Sequence, residues 1–472
     1  MIKTTKSLLS RINRAILLFS VNFRFMSAMF LYVILNLLFI LHPIFNFEKL
    51  GYISIIVFGL TSVLSFQEFS INSIKKYNYL FFCFIFLFSL LLLIYGIIYS
   101  SSNRLFHGLV FLFAVPMAWF LLSNDKNRHF LVDAAAWGGL VSMYILLVIS
   151  TWKAPLYEKS YSSVLLNPNG LAHVLIPMVV CCVFLVEKYL SHSYKKKSSK
   201  ILIISFLMFS LGVASILLLL TKSRTGLLCL FSIFLFWVLY NVVIKRQYKI
   251  LIMFFIFIVF AYKFTFFLLT DLSYSVIEKE LEANNYAYRY VQNDIVKYKS
   301  IHDQANDLSP DKQQNNYELF DRVNTGISDN YDISSGRFTI WKEVIKKINF
   351  QGNPDNIKFQ VNYGGSTKKI NNPHNIFLSI GFFSGILTMI AMIIFMLIYF
   401  YIVAENSIRG SLLKKLNCYD LFLLMIGSTF FVVSNLSGTY TLTTTIHSLL
   451  FWQFIPIKKK NFQPFNLKAN RI

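Results

Sequence analysis

Hydrophobic positions in this chain do not alternate with polar ones at a helical or strand period. They come in near-continuous blocks close to the roughly 20 residues that an apolar helix needs to cross a bilayer. Twelve such blocks can be read, at residues 25–41, 51–66, 80–99, 105–122, 130–150, 170–186, 201–220, 226–243, 250–269, 376–402, 419–434 and 441–457. A chain inside hydrocarbon must satisfy its own backbone N–H and C=O groups, so each block is expected to be a helix. The pattern predicts an all-α polytopic membrane protein with about twelve transmembrane helices.

The blocks are unevenly spaced, which gives the domain organisation: nine helices in residues 1–269, a polar segment at 270–375, and three helices with a basic tail in 376–472. No internal repeat is visible. Within the polar segment, 276–299 has helix-forming composition, whereas HDQANDLSPDKQQNN (302–316) has almost nothing to bury. SSGRFTIWKEVIKKI is different. Phe338, Trp341, Ile345 and Ile348 recur at helical spacing, with Lys342, Glu343, Lys346 and Lys347 on the other face. An amphipathic helix is expected there, capped by Ser334 or Ser335 and carrying Arg337 in its first turn. It would lie on the membrane surface or over the bundle.

Charge orients the bundle. The chain has 45 Lys and Arg against 22 Asp and Glu, a formal net charge of +23. With the N-terminus in the cytoplasm, the inside segments hold 25 of the 45 basic residues and the short outside loops six. That asymmetry is the positive-inside rule and places both termini in the cytoplasm. The segment 270–375 then faces outward, and its 13 basic and 14 acidic residues nearly cancel. The excess charge is thus an orientation signal, and no nucleic-acid partner is expected. The basic start precedes a long apolar run with no small-residue cleavage site, so no cleaved signal peptide is expected. The five cysteines lie in or beside the apolar blocks and imply no disulfide framework.

Three of the outward-opening helices begin with polar motifs. Helix six follows NPNG (167–170), helix eight follows SRTG (223–226), and helix ten follows PHN (373–375). A helix N-terminus offers unpaired N–H groups and the positive end of its dipole, which favours an anion. Lys222 and Arg224 stand at one opening, His374 at another, and Arg337 lies in the segment able to fold over them. Cations gathered in this way suit a phosphate or diphosphate. Each feature also has a structural reading. Arg224 can snorkel to lipid headgroups, NPNG can serve only as a cap, Arg337 can be a surface charge, and His374 can bond a carbonyl. No metal-ligand spacing and no Ser-His-Asp order stands out.

Taken together, NPNGLAH, TKSRTG, SGRFTIW and PHNIFLSIGFFSGI, in this order and on one side of the membrane, resemble the O-antigen ligase and O-antigen polymerase superfamily. The resemblance covers helices six to ten; the first five match in hydropathy alone. It implies a GT-C-like helical bundle in the bacterial inner (cytoplasmic) membrane. It implies a glycosyltransferase that takes a glycan from undecaprenyl diphosphate on the outer face, with no metal and no cofactor. A ligase passes the glycan to a lipid A–core sugar and a polymerase passes it to the next lipid-linked repeat unit; the motifs are common to both. Carried over motif by motif, Arg224 and Arg337, joined by Lys222, would hold the diphosphate, and His374 would act on the acceptor hydroxyl. Asn169, Ser223 and Asn375 would support them. The competing reading is a polytopic lipid or polysaccharide transporter. Against it, a twelve-helix transporter of the major-facilitator type usually carries its longest loop between two six-helix halves on the cytoplasmic side.

Overall fold

Over the described residues the apolar blocks are helical, because intrahelical hydrogen bonds are the cheapest way to satisfy backbone in an apolar surrounding. The computed structural model describes residues 19–45, 50–67, 79–154, 156, 161–165, 167–191, 197–273, 275–276, 337–355, 357, 359–363, 366–370, 373–412, 416–437, 445–454 and 456. The first nine helices are α1 Val21–Phe45, α2 Leu50–Leu64, α3 Tyr79–Ile98, α4 Ser102–Leu121, α5 Asp125–Lys153, α6 Pro168–Ser191, α7 Lys197–Leu220, α8 Arg224–Ile244 and α9 Lys249–Leu272. A peripheral helix, α10 Arg337–Ile345, and a hairpin of β1 Phe359–Tyr363 with β2 Ser366–Ile370 come next. Then follow α11 Ile376–Leu412, α12 Cys418–Ser437 and α13 Ile446–Gln453. Among the described residues, ten helices are long and apolar enough to cross a membrane. Of the twelve expected, α2 has only 15 residues and α13 is described over eight.

α6 is the centre of the bundle. It packs against α5, α7, α8 and α12, and Leu175, Ile176, Val179, Val180, Cys182 and Val183 are fully buried. The two ends of the bundle are chemically distinct. At one end, the buried Glu187 of α6 accepts from Trp237 Nε1 at 2.7 Å and Asn241 Nδ2 at 2.6 Å, both on α8, and from Lys245 Nζ, just past its end, at 2.8 Å. Beside it, Lys188 pairs with Asp133 of α5 at 2.6 Å, and Tyr419 of α12 donates to the same carboxylate. This end is where charge counting expects the cytoplasm. The starts of α6, α8 and α11 lie at the other end.

Three expectations are corrected. First, residues 376–402 do not form one straight span. α11 is two helices, 376–384 and 386–412, separated by Gly385 at φ 79° and ψ 162°. A Cβ placed on Gly381 would sit 3.4 Å from Met389 Cβ, whereas eight residues of straight helix extend about 12 Å. The break is therefore sharp, and 386–412, about 40 Å at 1.5 Å per residue, is the part able to cross the bilayer. Second, the spanning bundle is helical, but the segment 270–375 adds the antiparallel hairpin, in the register Phe359↔Ile370 to Tyr363↔Ser366. FQVNY and STKKI flank a Gly-Gly pair, a hairpin signal that outweighs the helical character of the rest.

Third, α10 turns a different face inward. Ile340 and Val344 pack on Phe382, with Trp341 and Ile348 partly buried beside them, while Phe338 and Ile345 are exposed. The helix carries two apolar stripes, and the Trp341 N–H bond to the Pro373 carbonyl, 2.8 Å, fixes which one faces the protein. Residues 277–299, 302–316, Ser334 and Ser335 lie outside the described residues.

Candidate active site

The opening at α6 and α8 is built by local capping. Lys222, with φ 50°, reverses the chain after α7, and its N–H bonds the Leu219 carbonyl at 3.0 Å. Ser223 then caps α8 by accepting from Gly226 N at 3.3 Å, while its hydroxyl donates to Asn169 Oδ1 at 2.7 Å. That bond ties the starts of α6 and α8 together. Gly226 permits the approach, since a Cβ there would lie 3.1 Å from Ala172 Cβ of α6. Arg224 is the first residue of α8 and is half-buried.

The second opening is at α11. His374 has φ 55°, a left-handed conformation that costs about 1–3 kcal/mol and persists only where neighbours impose it. They do. On one side Trp341 Nε1 holds the Pro373 carbonyl, and on the other Asn375 is bonded twice. Asn375 Oδ1 caps the helix by accepting from Leu378 N at 3.0 Å, and its Nδ2 donates to Asn435 Oδ1, at the end of α12, at 3.1 Å. His374 is thus held between α10 and α12, half-buried.

α10 brings Arg337 to the same place. Burial, and secondarily Arg224, lower the Arg337 pKa from its ordinary value. His374 is lowered first by burial and then by Arg337. Arg337 is therefore within electrostatic reach of both Arg224 and His374, at the end of the bundle opposite Glu187. Arg337 begins α10 and Arg224 begins α8, while His374 lies two residues before α11, so three helix N-termini accompany these side chains. Asn169, Ser223 and Asn375 brace the group. Lys222 is next to Ser223 in the chain; the contacts above do not run through it.

Residues 206–393 match the family model described as O-antigen ligase. Over this stretch, about two fifths of its length, the chain is similar to the O-antigen ligase family. No curated protein and no solved structure matches it. The O-antigen ligase stretch runs from the middle of α7 to just beyond the break in α11. It contains Lys222, Ser223, Arg224, Arg337, His374 and Asn375, and leaves out Asn169.

This arrangement has a defined chemical capacity. Two guanidinium groups and several helix N-termini favour a ligand with two or more negative charges. An imidazole with a lowered pKa is neutral near pH 7 and can take a proton. Sequence reasoning missed Trp341 and Asn435 as the residues that hold His374. Trp341 lies within the quoted SGRFTIW motif, where it reads as part of an apolar stripe. Asn435 is a single polar residue at a helix end and gives no signal of its partner.

Proposed function

We propose that this protein transfers a glycan from an undecaprenyl-diphosphate carrier to a sugar hydroxyl, on the outer face of the inner membrane, without a metal. The supporting observation is the electrostatic coupling of Arg224, Arg337 and His374 at one end of the bundle, inside an O-antigen ligase domain. In this reading the acceptor hydroxyl gives its proton to neutral His374 as its oxygen bonds to the anomeric carbon. The bond from that carbon to the phosphate oxygen breaks, and its electron pair leaves with the lipid diphosphate. Arg224 and Arg337, with Lys222 nearby, balance the charge that develops there. Fixed donors of this kind are each worth about 10²–10³ in rate, and a positioned base contributes about 10²–10⁴. Attack from the face opposite the leaving group would invert the anomeric centre.

The reading covers both acceptor classes, a lipid A–core sugar and a lipid-linked repeat unit. A deletion strain complemented with Arg224→Ala, Arg337→Ala or His374→Ala tests it. Each variant should accumulate in the membrane and fail to restore the surface glycan. Full-length glycan stranded on its carrier would identify the lost step as ligation, and a lone unattached repeat unit as polymerisation. Restoration by all three variants would remove the proposed site.

A further inference from the structure

The strongest unused cluster lies away from the cations, where α3 turns into α4. Arg104, in the first turn of α4, is 5% exposed. Its Nε and Nη2 bond Asp355 Oδ1 at 3.0 and 2.6 Å, and Nη2 also bonds the Asn353 carbonyl. Ser101 Oγ donates to Asp355 Oδ2. The guanidinium lies 5.0 Å from the centre of the Tyr99 ring and 5.9 Å from that of Phe383. Tyr95 of α3 and Tyr99 just after it hold the same loop, with Tyr95 Oη on the Phe350 carbonyl at 2.6 Å and Tyr99 Oη on the Gly352 carbonyl at 2.9 Å.

The loop so held fills the break in α11. Ile386 N donates to the Asn349 carbonyl at 3.0 Å, Asn353 N to the Phe383 carbonyl at 3.3 Å, and Asn353 Nδ2 to the Phe382 carbonyl at 2.9 Å. Backbone groups released where the helix stops are thus satisfied by residues 349–353. Gly352, at φ 71°, is required by this contact, because a Cβ there would stand 2.4 Å from the Phe383 oxygen.

α10 and the 376–384 helix run side by side in one direction. Trp341, midway along α10, bonds Pro373 just before the 376–384 helix; residues 349 and 386 tie the pair beyond its ends. Arg337 and His374 sit at the starts. We propose that Arg104 is a positioning residue: with Asp355 it locks residues 349–355 into the break and so fixes where this helix pair presents Arg337 and His374. The 376–384 helix is about 13 Å long, so a hinge rotation of about 10° at Gly385 would move its far end by about 2 Å. A displacement of about 1 Å at reacting groups can cost 10²-fold in rate.

The catalytic half of this inference rests on the transferase reading, and the geometric half does not. The test combines a distance and a rate. Spin labels are placed on Thr339 of α10 and on Tyr248, exposed near the opposite end of the bundle, in a background with Cys83 replaced. Arg104→Ala and Asp355→Ala should each broaden the label-to-label distance distribution, Arg104→Lys less so, and the double variant no more than either single one. In the purified transfer assay the same variants, without labels, should lose 10- to 100-fold in kcat. The acid limb of the pH profile should also move upward as Arg337 leaves His374. A narrow, unchanged distribution in Arg104→Ala overturns the latch whatever the rates show. Should Arg104→Ala fail to accumulate, Asp355→Ala and Arg104→Lys answer the same question. Wild-type protein that forms no product would overturn the transferase reading and leave the distance result to decide the latch.

Discussion

Replacing Gly385 by Ala puts a methyl group where the structure has no room. The position holds φ 79° and ψ 162°, a conformation that costs a non-glycine residue about 1–3 kcal/mol. The new Cβ would also stand 2.3 Å from the Phe350 oxygen and 3.2 Å from the Tyr95 hydroxyl. The first of these is backbone and cannot rotate away, so the loop must retreat. Retreat breaks the Ile386 N–H bond to Asn349 and the Tyr95 bond to Phe350, each worth about 1 kcal/mol net. The total is about 3–5 kcal/mol, concentrated on the helix pair above the bundle. The α5–α8 core does not share these contacts. Thermal unfolding of the detergent-purified variant, followed by tryptophan fluorescence, should therefore keep its main transition. Glycan transfer by the same sample should fall at least 10²-fold. Gly381→Ala is the control, since its Cβ meets the flexible Met389 side chain at 2.8 Å, and it should lose far less. Wild-type transfer by Gly385→Ala would refute the link between the break and the site.

Other outcomes follow from single contacts. Because burial and Arg337 both lower the His374 pKa from 6.5, the transfer rate should hold steady near neutrality. It should fall only as pH drops through a midpoint below 6.5 and the imidazole becomes protonated. Arg337→Gln should move that midpoint upward while lowering the rate about 10²–10³-fold; an unmoved midpoint in the pH–rate profile would separate the two residues. Asn375→Ala removes the cap on Leu378 N and the link to Asn435. It should cost about 1 kcal/mol of local stability, read as reduced transfer at an unchanged membrane protein level. Glu187→Ala leaves Lys245, Trp237 and Asn241 facing an empty acceptor position. Breaking such a pair costs about 3–5 kcal/mol, so the detergent melting temperature should drop while the pH midpoint of residual transfer stays put.

The bundle was legible because hydropathy is a local, additive signal: a block such as 201–220 needs no partner to be read as a helix. The openings were legible for a related reason, since NPNG, SRTG and PHN are capping chemistry written next to the helices they start. What stayed hidden depends on pairs far apart in sequence. Nothing near Arg104 announces Asp355, 251 residues away, and Arg104 by itself reads as one of six outside charges. The break at Gly385 lay between legible and hidden. Two glycines and a serine in GFFSG permit a kink, but the strong apolar run on either side reads as one span. α10 shows the same limit, because two stripes fit one sequence and only the Trp341 contact with Pro373 selects the buried face. The hairpin of 359–363 with 366–370 is written in the sequence as two short strands around Gly-Gly, a weaker signal than the helical pattern beside it.

The central claim is that Arg224, Arg337 and His374 act together on a lipid-linked diphosphate. The most direct test mixes purified protein in detergent with an undecaprenyl-diphosphate-linked glycan and an acceptor, with no second compartment, and analyses the product by mass spectrometry. A new glycosidic bond with release of the lipid diphosphate, abolished in His374→Ala, is the expected result. Unchanged glycan in the wild-type reaction, together with carrier-lipid flux across vesicles containing the same protein, would contradict it.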